Sequence, residues 1–175
     1  MIGGESLAEA KGRTITSRMA LFNMTDLRGM LTRDQRLIGI DPGSQTIGLA
    51  LSDVSLRLAS AYGSLRRGKL SANAAEIAAI ARKEGAFGLV VGLPLSMDGT
   101  AGPAAQAARN WAFALSGATG LPAAMWDERL SSSAVNRFLI GEADLSRKKR
   151  AAAVDRSAAA WMLQSALDAS ASRPS

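Results

Sequence analysis

A chain of 175 residues with 47% hydrophobic side chains is long enough for one domain with a real core, and it lacks the apolar run of about 18 residues that spans a bilayer. Cysteine and histidine are both absent, which excludes disulfides, thiolate nucleophiles, Ser-His-Asp triads and metals held by Cys or His. Lys and Arg number 21 against 15 acids, a net charge of +6, and such an excess favours a polyanionic partner.

The first 18 residues are polar and non-periodic, with no basic start followed by an apolar block, so no secretory signal is read and a cytoplasmic location is expected. Met24, Leu27, Met30 and Leu31 then recur at helical spacing behind Thr25 as a cap, predicting a short helix on the domain edge. Leu37–Ile40 and Ile47–Leu51 are apolar runs joined by a turn at Pro42-Gly43, a β-hairpin. A third strand is expected over 59–65. A helix over 71–83 stops at Gly85, and a strand over 86–91 is broken at Gly92-Leu93-Pro94. Residues 95–100 read as loop, 104–115 as helix, 122–126 as strand and 132–140 as helix. A basic connection leads into a last helix over 150–168, and 170–175 form a tail. Three β-elements followed by alternating helices and strands imply an α/β fold: an antiparallel meander extended by parallel strands in one mixed sheet. The boundaries read as an extension over 1–35, a domain over 36–170 and a tail over 171–175.

The acids carry the chemistry. Asp41 sits inside a strand, where Asp is depleted and a buried charge is costly unless paired or metal-bound. Asp127 and Glu128 end the last strand, and Asp155 lies early in the last helix. Functional groups of α/β sheets gather at strand carboxyl ends, and the Ala-rich last helix (Ala151–Ala153, Ala158–Ala160) is slim enough to approach the sheet and bring Asp155 towards Asp41. Simpler readings stay open for each. Asp155 is also favoured by the helix dipole, and Asp127-Glu128 with Arg129 also suit a helix cap and a surface ion pair. Without His or Cys, clustered carboxylates point to a hard cation, Mg²⁺ or Mn²⁺, and two such cations can activate a water against a phosphodiester. Strand alternation lets only one of Asp127 and Glu128 face such a site. The stretch Gly92–Thr100 suits a phosphate contact or a plain loop. Two basic clusters, Arg147-Lys148-Lys149-Arg150 and Arg66-Arg67-Gly68-Lys69, favour nucleic acid. Trp111, Trp126 and Trp161 are expected in the core, and Ser131 and Ser132 as helix caps.

Four blocks, LIGIDPGSQTIGLALSD (37–53), LVVGLPLSMDGT (89–100), WDERLSS (126–132) and SRKKRAAAVDRSAAAWMLQSALD (146–168), resemble in order the YqgF/RuvX family of bacterial nucleases, linked to pre-16S rRNA maturation or Holliday-junction resolution. The resemblance implies an RNase H-like fold with a mixed five-stranded sheet and helices on both faces. It implies Asp41, Glu128 and Asp155 as the catalytic acids, with Asp127 beside them as a further metal ligand. Substrate contacts would come from Gly43 and Ser44, from Gly92, Pro94, Ser96, Asp98, Gly99 and Thr100, and from Arg129, Arg147, Lys148, Lys149 and Arg150. DPG stands where DLG is frequent, and DERLSS where DERLST is usual; neither change removes an acid. The implied activity is metal-dependent phosphodiester hydrolysis on pre-rRNA or branched DNA, by a monomer or homodimer with no membrane partner. An actin- or sugar-kinase-like ATPase shares the first motif, but that fold needs two such domains. A non-catalytic binding module is the remaining alternative.

Overall fold

The computed structural model describes residues 21–93, 102–127 and 147–171, the side chains of 147–157 excepted. The expected helix over 132–140, its capping serines, the loop over 95–100, Glu128 and Arg129 lie outside the described residues. In chain order the elements are β1 (Leu21–Phe22), α1 (Met24–Met30), β2 (Arg36–Pro42), β3 (Thr46–Ser52), β4 (Ala59–Arg66), α2 (Leu70–Glu84), β5 (Ala86–Leu93), α3 (Pro103–Thr119), β6 (Ala123–Asp127) and α4 (Arg147–Ser170).

The described strands form one six-stranded sheet, ordered β1-β6-β5-β2-β3-β4. β2, β3 and β4 are the antiparallel meander, and β5 and β6 extend the sheet in parallel from the other side of β2. This is the mixed, RNase H-like arrangement expected, with one correction. Five strands become six, because Leu21–Phe22 pairs in parallel with Ala123–Ala124 at the sheet margin. A two-residue strand leaves no periodicity to read.

β2 is central, and its apolar run is unbroken because both faces are covered. Ile38 and Ile40 pack in one cluster with Ile77 and Ala81 of α2 and Ala112 and Leu115 of α3. Leu37 belongs to the opposite cluster, with Met24 and Leu27 of α1 and Ala159, Met162, Leu163, Ala166 and Leu167 of α4. Helices therefore lie on both faces. α2 and α3 stop where Gly85 (φ 71°) and Gly120 (φ 73°) adopt the left-handed conformation, which costs glycine nothing.

Several local expectations change. The cap of α1 is Asn23, whose side chain accepts from the Asp26 N–H at 2.8 Å; Thr25 lies inside the helix. Met30 is largely exposed, since the helix ends there. Gly92 and Leu93 continue β5 instead of breaking it. The basic run 147–150 is the first turn of α4, not a connection; Lys and Arg are good helix formers. Trp161 is 40% exposed instead of in the core.

The β3–β4 connection is built on Asp53. Its Oδ1 accepts from the N–H groups of Arg57 (2.8 Å) and Leu58 (3.0 Å), and its Oδ2 accepts from the Ser55 hydroxyl. Burial pushes the Asp53 carboxyl up, but the Ser55 hydroxyl and the Leu58 and Arg57 amides outweigh it, lowering the pKa from 3.8 to about 2. A depressed folded-state value stabilises the fold above the unfolded pKa, and that stabilisation is lost as pH falls from about 4 towards 2. Asp53→Asn should cost about 1 kcal/mol at neutral pH. Urea unfolding checks this, and the gap between variant and wild type should narrow at acid pH. A gap that stays constant would mean that the carboxylate charge does not hold the turn.

Candidate active site at the carboxyl edge of the sheet

Asp41 is the last but one residue of β2. Ile40 pairs with Val91 of β5, and Val91 with Met125 of β6. The next row therefore holds Asp41, Gly92 and Trp126, and the row beyond ends in Leu93 and Asp127. These are the carboxyl ends of three parallel strands, where sheet ligands bind.

The faces follow from alternation. Ile38 and Ile40 look towards α2 and α3, so Asp41 shares the α4 face with Leu37 and Gly39. On β6, Ala124 and Trp126 pack with the α4 cluster, while Ala123 and Met125 pack with the other. Asp127 thus takes the α2/α3 face, opposite to Asp41. Asp41 is half-buried, and among the described residues no hydrogen bond or ion pair engages its carboxylate.

α4 crosses this face at close range. A Cβ on Gly39 would lie 2.9 Å from Leu163 Cβ and 3.3 Å from the Ala159 carbonyl oxygen. The slim stripe expected from the alanines is therefore real at Ala159, which is fully buried. The direction of the helix is fixed by Gln164. Its Oε1 accepts from the Ala59 N–H at 2.9 Å and its Nε2 donates to the Arg57 carbonyl at 2.7 Å, both beside the Ser52 end of β3. That end lies alongside the start of β2. Going back along α4 from Leu163 to Ala159 and on to residue 155 therefore runs towards the carboxyl end of β2. Position 155 is one turn, about 6 Å, before Ala159. Ala159, Met162 and Ala166 form the buried stripe of α4 that packs on this face. Asp41 is two residues, about 6.6 Å, beyond Gly39. The two positions thus advance together along the same face.

The turn after Asp41 is tight. The Gly43 N–H donates to the Thr46 carbonyl at 2.9 Å, and a Cβ on Gly43 would stand 2.6 Å from that oxygen. Only glycine fits. Ser44 is exposed at its tip.

Among the described residues no group of three or more acids is gathered; Asp41 and Asp127 are separated by the sheet, the side chain of Asp155 is undescribed, and Glu128 lies outside the described residues. The donor chemistry nevertheless fits a hard divalent cation. The chain has no Cys or His, and Asp41 supplies a half-buried carboxylate free of competing described partners. The Trp126 indole N–H, on the same face and in the same row, is buried with no hydrogen-bond partner among the described residues.

The sequence reading missed one part of this edge. The Arg67 guanidinium donates to the Gly43 carbonyl at 2.8 Å and lies 5.2 Å from the centre of the Trp111 ring. Trp111 is only half-buried and carries a cation on its face, where a plain core residue was expected. The basic cluster at 66–69 was the signal, but no local pattern places the end of β4 beside the β2–β3 turn.

The sequence model of a family described as RuvX, Holliday junction resolvase, matches residues 35–169. The chain belongs to the RuvX family. A RuvX relative from Gluconacetobacter diazotrophicus, named as a candidate pre-16S rRNA nuclease, is 70% identical over 87% of this chain and 99% of its own. One of the same name from Acidiphilium cryptum is 65% identical over 86% of this chain and 94% of its own. Among solved structures, RuvC of T. thermophilus in complex with a Holliday junction substrate has a TM-score of 0.47 and 16% identity, covering 77% of this RuvX chain and 94% of that one. No described helix of the RuvX chain is long and apolar enough to cross a membrane.

Proposed function

We propose that this RuvX-family chain is a divalent-cation-dependent endonuclease that hydrolyses phosphodiester bonds at the 5′ end of pre-16S rRNA in the cytoplasm. The observation that carries the reading is the shared advance of Asp41 on β2 and the Asp155 position on α4 along one face, towards the carboxyl edge of the sheet. The names of its relatives support the substrate.

In this reading Asp41, Glu128 and Asp155 hold Mg²⁺ or Mn²⁺. Alternation along β6 favours Glu128 over Asp127 as the ligand from that strand. A cation held by these residues would supply Lewis-acid chemistry, activating a water and stabilising the departing oxygen. The basic first turn of α4, Arg147–Arg150, and the residues of 92–100 and Arg129 contact the substrate backbone, which positions a strand without reading its bases.

The description of the family favours a second reading, a resolvase of four-way DNA junctions. Purified protein with Mg²⁺ or Mn²⁺ is offered a pre-16S rRNA 5′-leader fragment and a four-way junction in parallel. Cleavage of the RNA with the junction intact is expected. The reverse pattern selects the resolvase, and binding without cleavage of either selects a non-catalytic module.

A further inference from the structure

The Arg67–Trp111 contact borders a pocket of about 280 Å³ lined by Pro42, Ser44, Arg67, Ala104, Ala108 and Trp111. Pro42 follows Asp41 directly and takes the opposite face of β2. The pocket therefore opens just around the carboxyl edge of the sheet from the acids.

Its cation is held in advance. Beyond the bond to Gly43, the Arg67 N–H donates to the Gln45 carbonyl at 2.9 Å, tying the end of β4 to the β2–β3 turn. Asn73, which is buried, fixes the neighbouring loop; its Oδ1 accepts from the Gly68 N–H at 2.9 Å and its Nδ2 donates to the Arg66 carbonyl at 3.0 Å. No acid pairs with Arg67 among the described residues. Among the described residues one guanidinium nitrogen serves Gly43, and the planar fork offers its others to an oxyanion. The Ser44 hydroxyl adds a donor, and the first turn of α3 at Ala104, lacking a side-chain cap at Gly102, adds the positive end of a dipole. The volume falls just below the roughly 300–1,000 Å³ of clefts that enclose a whole small molecule, which suits one phosphate of a longer chain.

We propose that this pocket is a phosphate subsite, in which Arg67 and Ser44 grip a backbone phosphate of the nucleic-acid strand that crosses the sheet edge to the acids. The inference rests on the nuclease reading for its substrate, but its test is separable because it needs no catalysis. Binding of a fluorescein-labelled single-stranded RNA is measured by anisotropy in EDTA over a range of KCl concentrations. Arg67→Gln should weaken binding about fivefold to tenfold and reduce the salt slope by about one. Ser44→Glu, an exposed change that leaves Arg67 in place, should weaken it similarly. Arg82→Gln, an exposed charge removed at the other end of α2, should match wild type in affinity. Wild-type affinity and slope in both folded pocket variants would overturn the subsite and leave the nuclease reading standing. Weakened binding by a protein that cleaves no RNA or junction would keep the subsite and overturn the nuclease.

Discussion

Asp41→Asn should reduce phosphodiester cleavage at least about a hundredfold, the scale on which one preorganised electrostatic contact at a reaction centre is worth. The change is nearly isosteric. It removes the charge that a hard cation requires and substitutes an amide that binds such ions weakly. Structural damage is not expected, because no hydrogen bond or ion pair to a described residue depends on the Asp41 carboxylate. The thermal midpoint should therefore hold or rise slightly. RNA affinity in EDTA should hold or increase, since one negative charge near the phosphates is gone. Lost cleavage with kept binding is the signature of a cation ligand. Cleavage at the wild-type rate by Asp41→Asn protein would remove Asp41 from the mechanism and with it the site at this edge.

Gly39→Ala should destabilise the core where β2 meets α4. The new Cβ would sit 2.9 Å from Leu163 Cβ and 3.3 Å from the Ala159 carbonyl oxygen. Neither atom is the far end of a flexible side chain, so α4 itself has to move. Overpacking of this kind costs about 1–3 kcal/mol, or roughly 2–12 °C in thermal midpoint for a chain of this size. Gly63→Ala, with nothing within 4 Å of its Cβ, serves as the control and should change stability by less than about 0.5 kcal/mol. Displacing α4 also displaces residue 155, so cleavage should fall at temperatures where the Gly39→Ala protein remains folded. An unchanged midpoint would mean that α4 does not pack on β2 as described.

Most elements were legible because their signals are local. The apolar runs of β2 and β3, the periodicity of α2 with Gly85 behind it, and the alanines of α4 each declare themselves within a dozen residues. The errors fell where local signals are thin or ambiguous. β1 is too short for a pattern, Asn23 and Thr25 are both competent caps within three positions, and a basic run reads equally as loop or helix. Trp161 shows that bulk alone does not predict burial when the residue falls off the stripe of Met162, Leu163 and Ala166.

By itself, the sequence determined that this chain has carboxylates but no His or Cys for metal chemistry, that one of them ends a strand where it has no structural reason to be, and that a slim helix follows far downstream. Which face Asp41 shares with α4, why Asp127 lies on the other, and how Arg67 reaches Trp111 beside the β2–β3 turn were decided only in the tertiary structure. These depend on strand register and on contacts between residues tens of positions apart. A shift of one residue in register would exchange the two faces, and no property of an isolated segment records it.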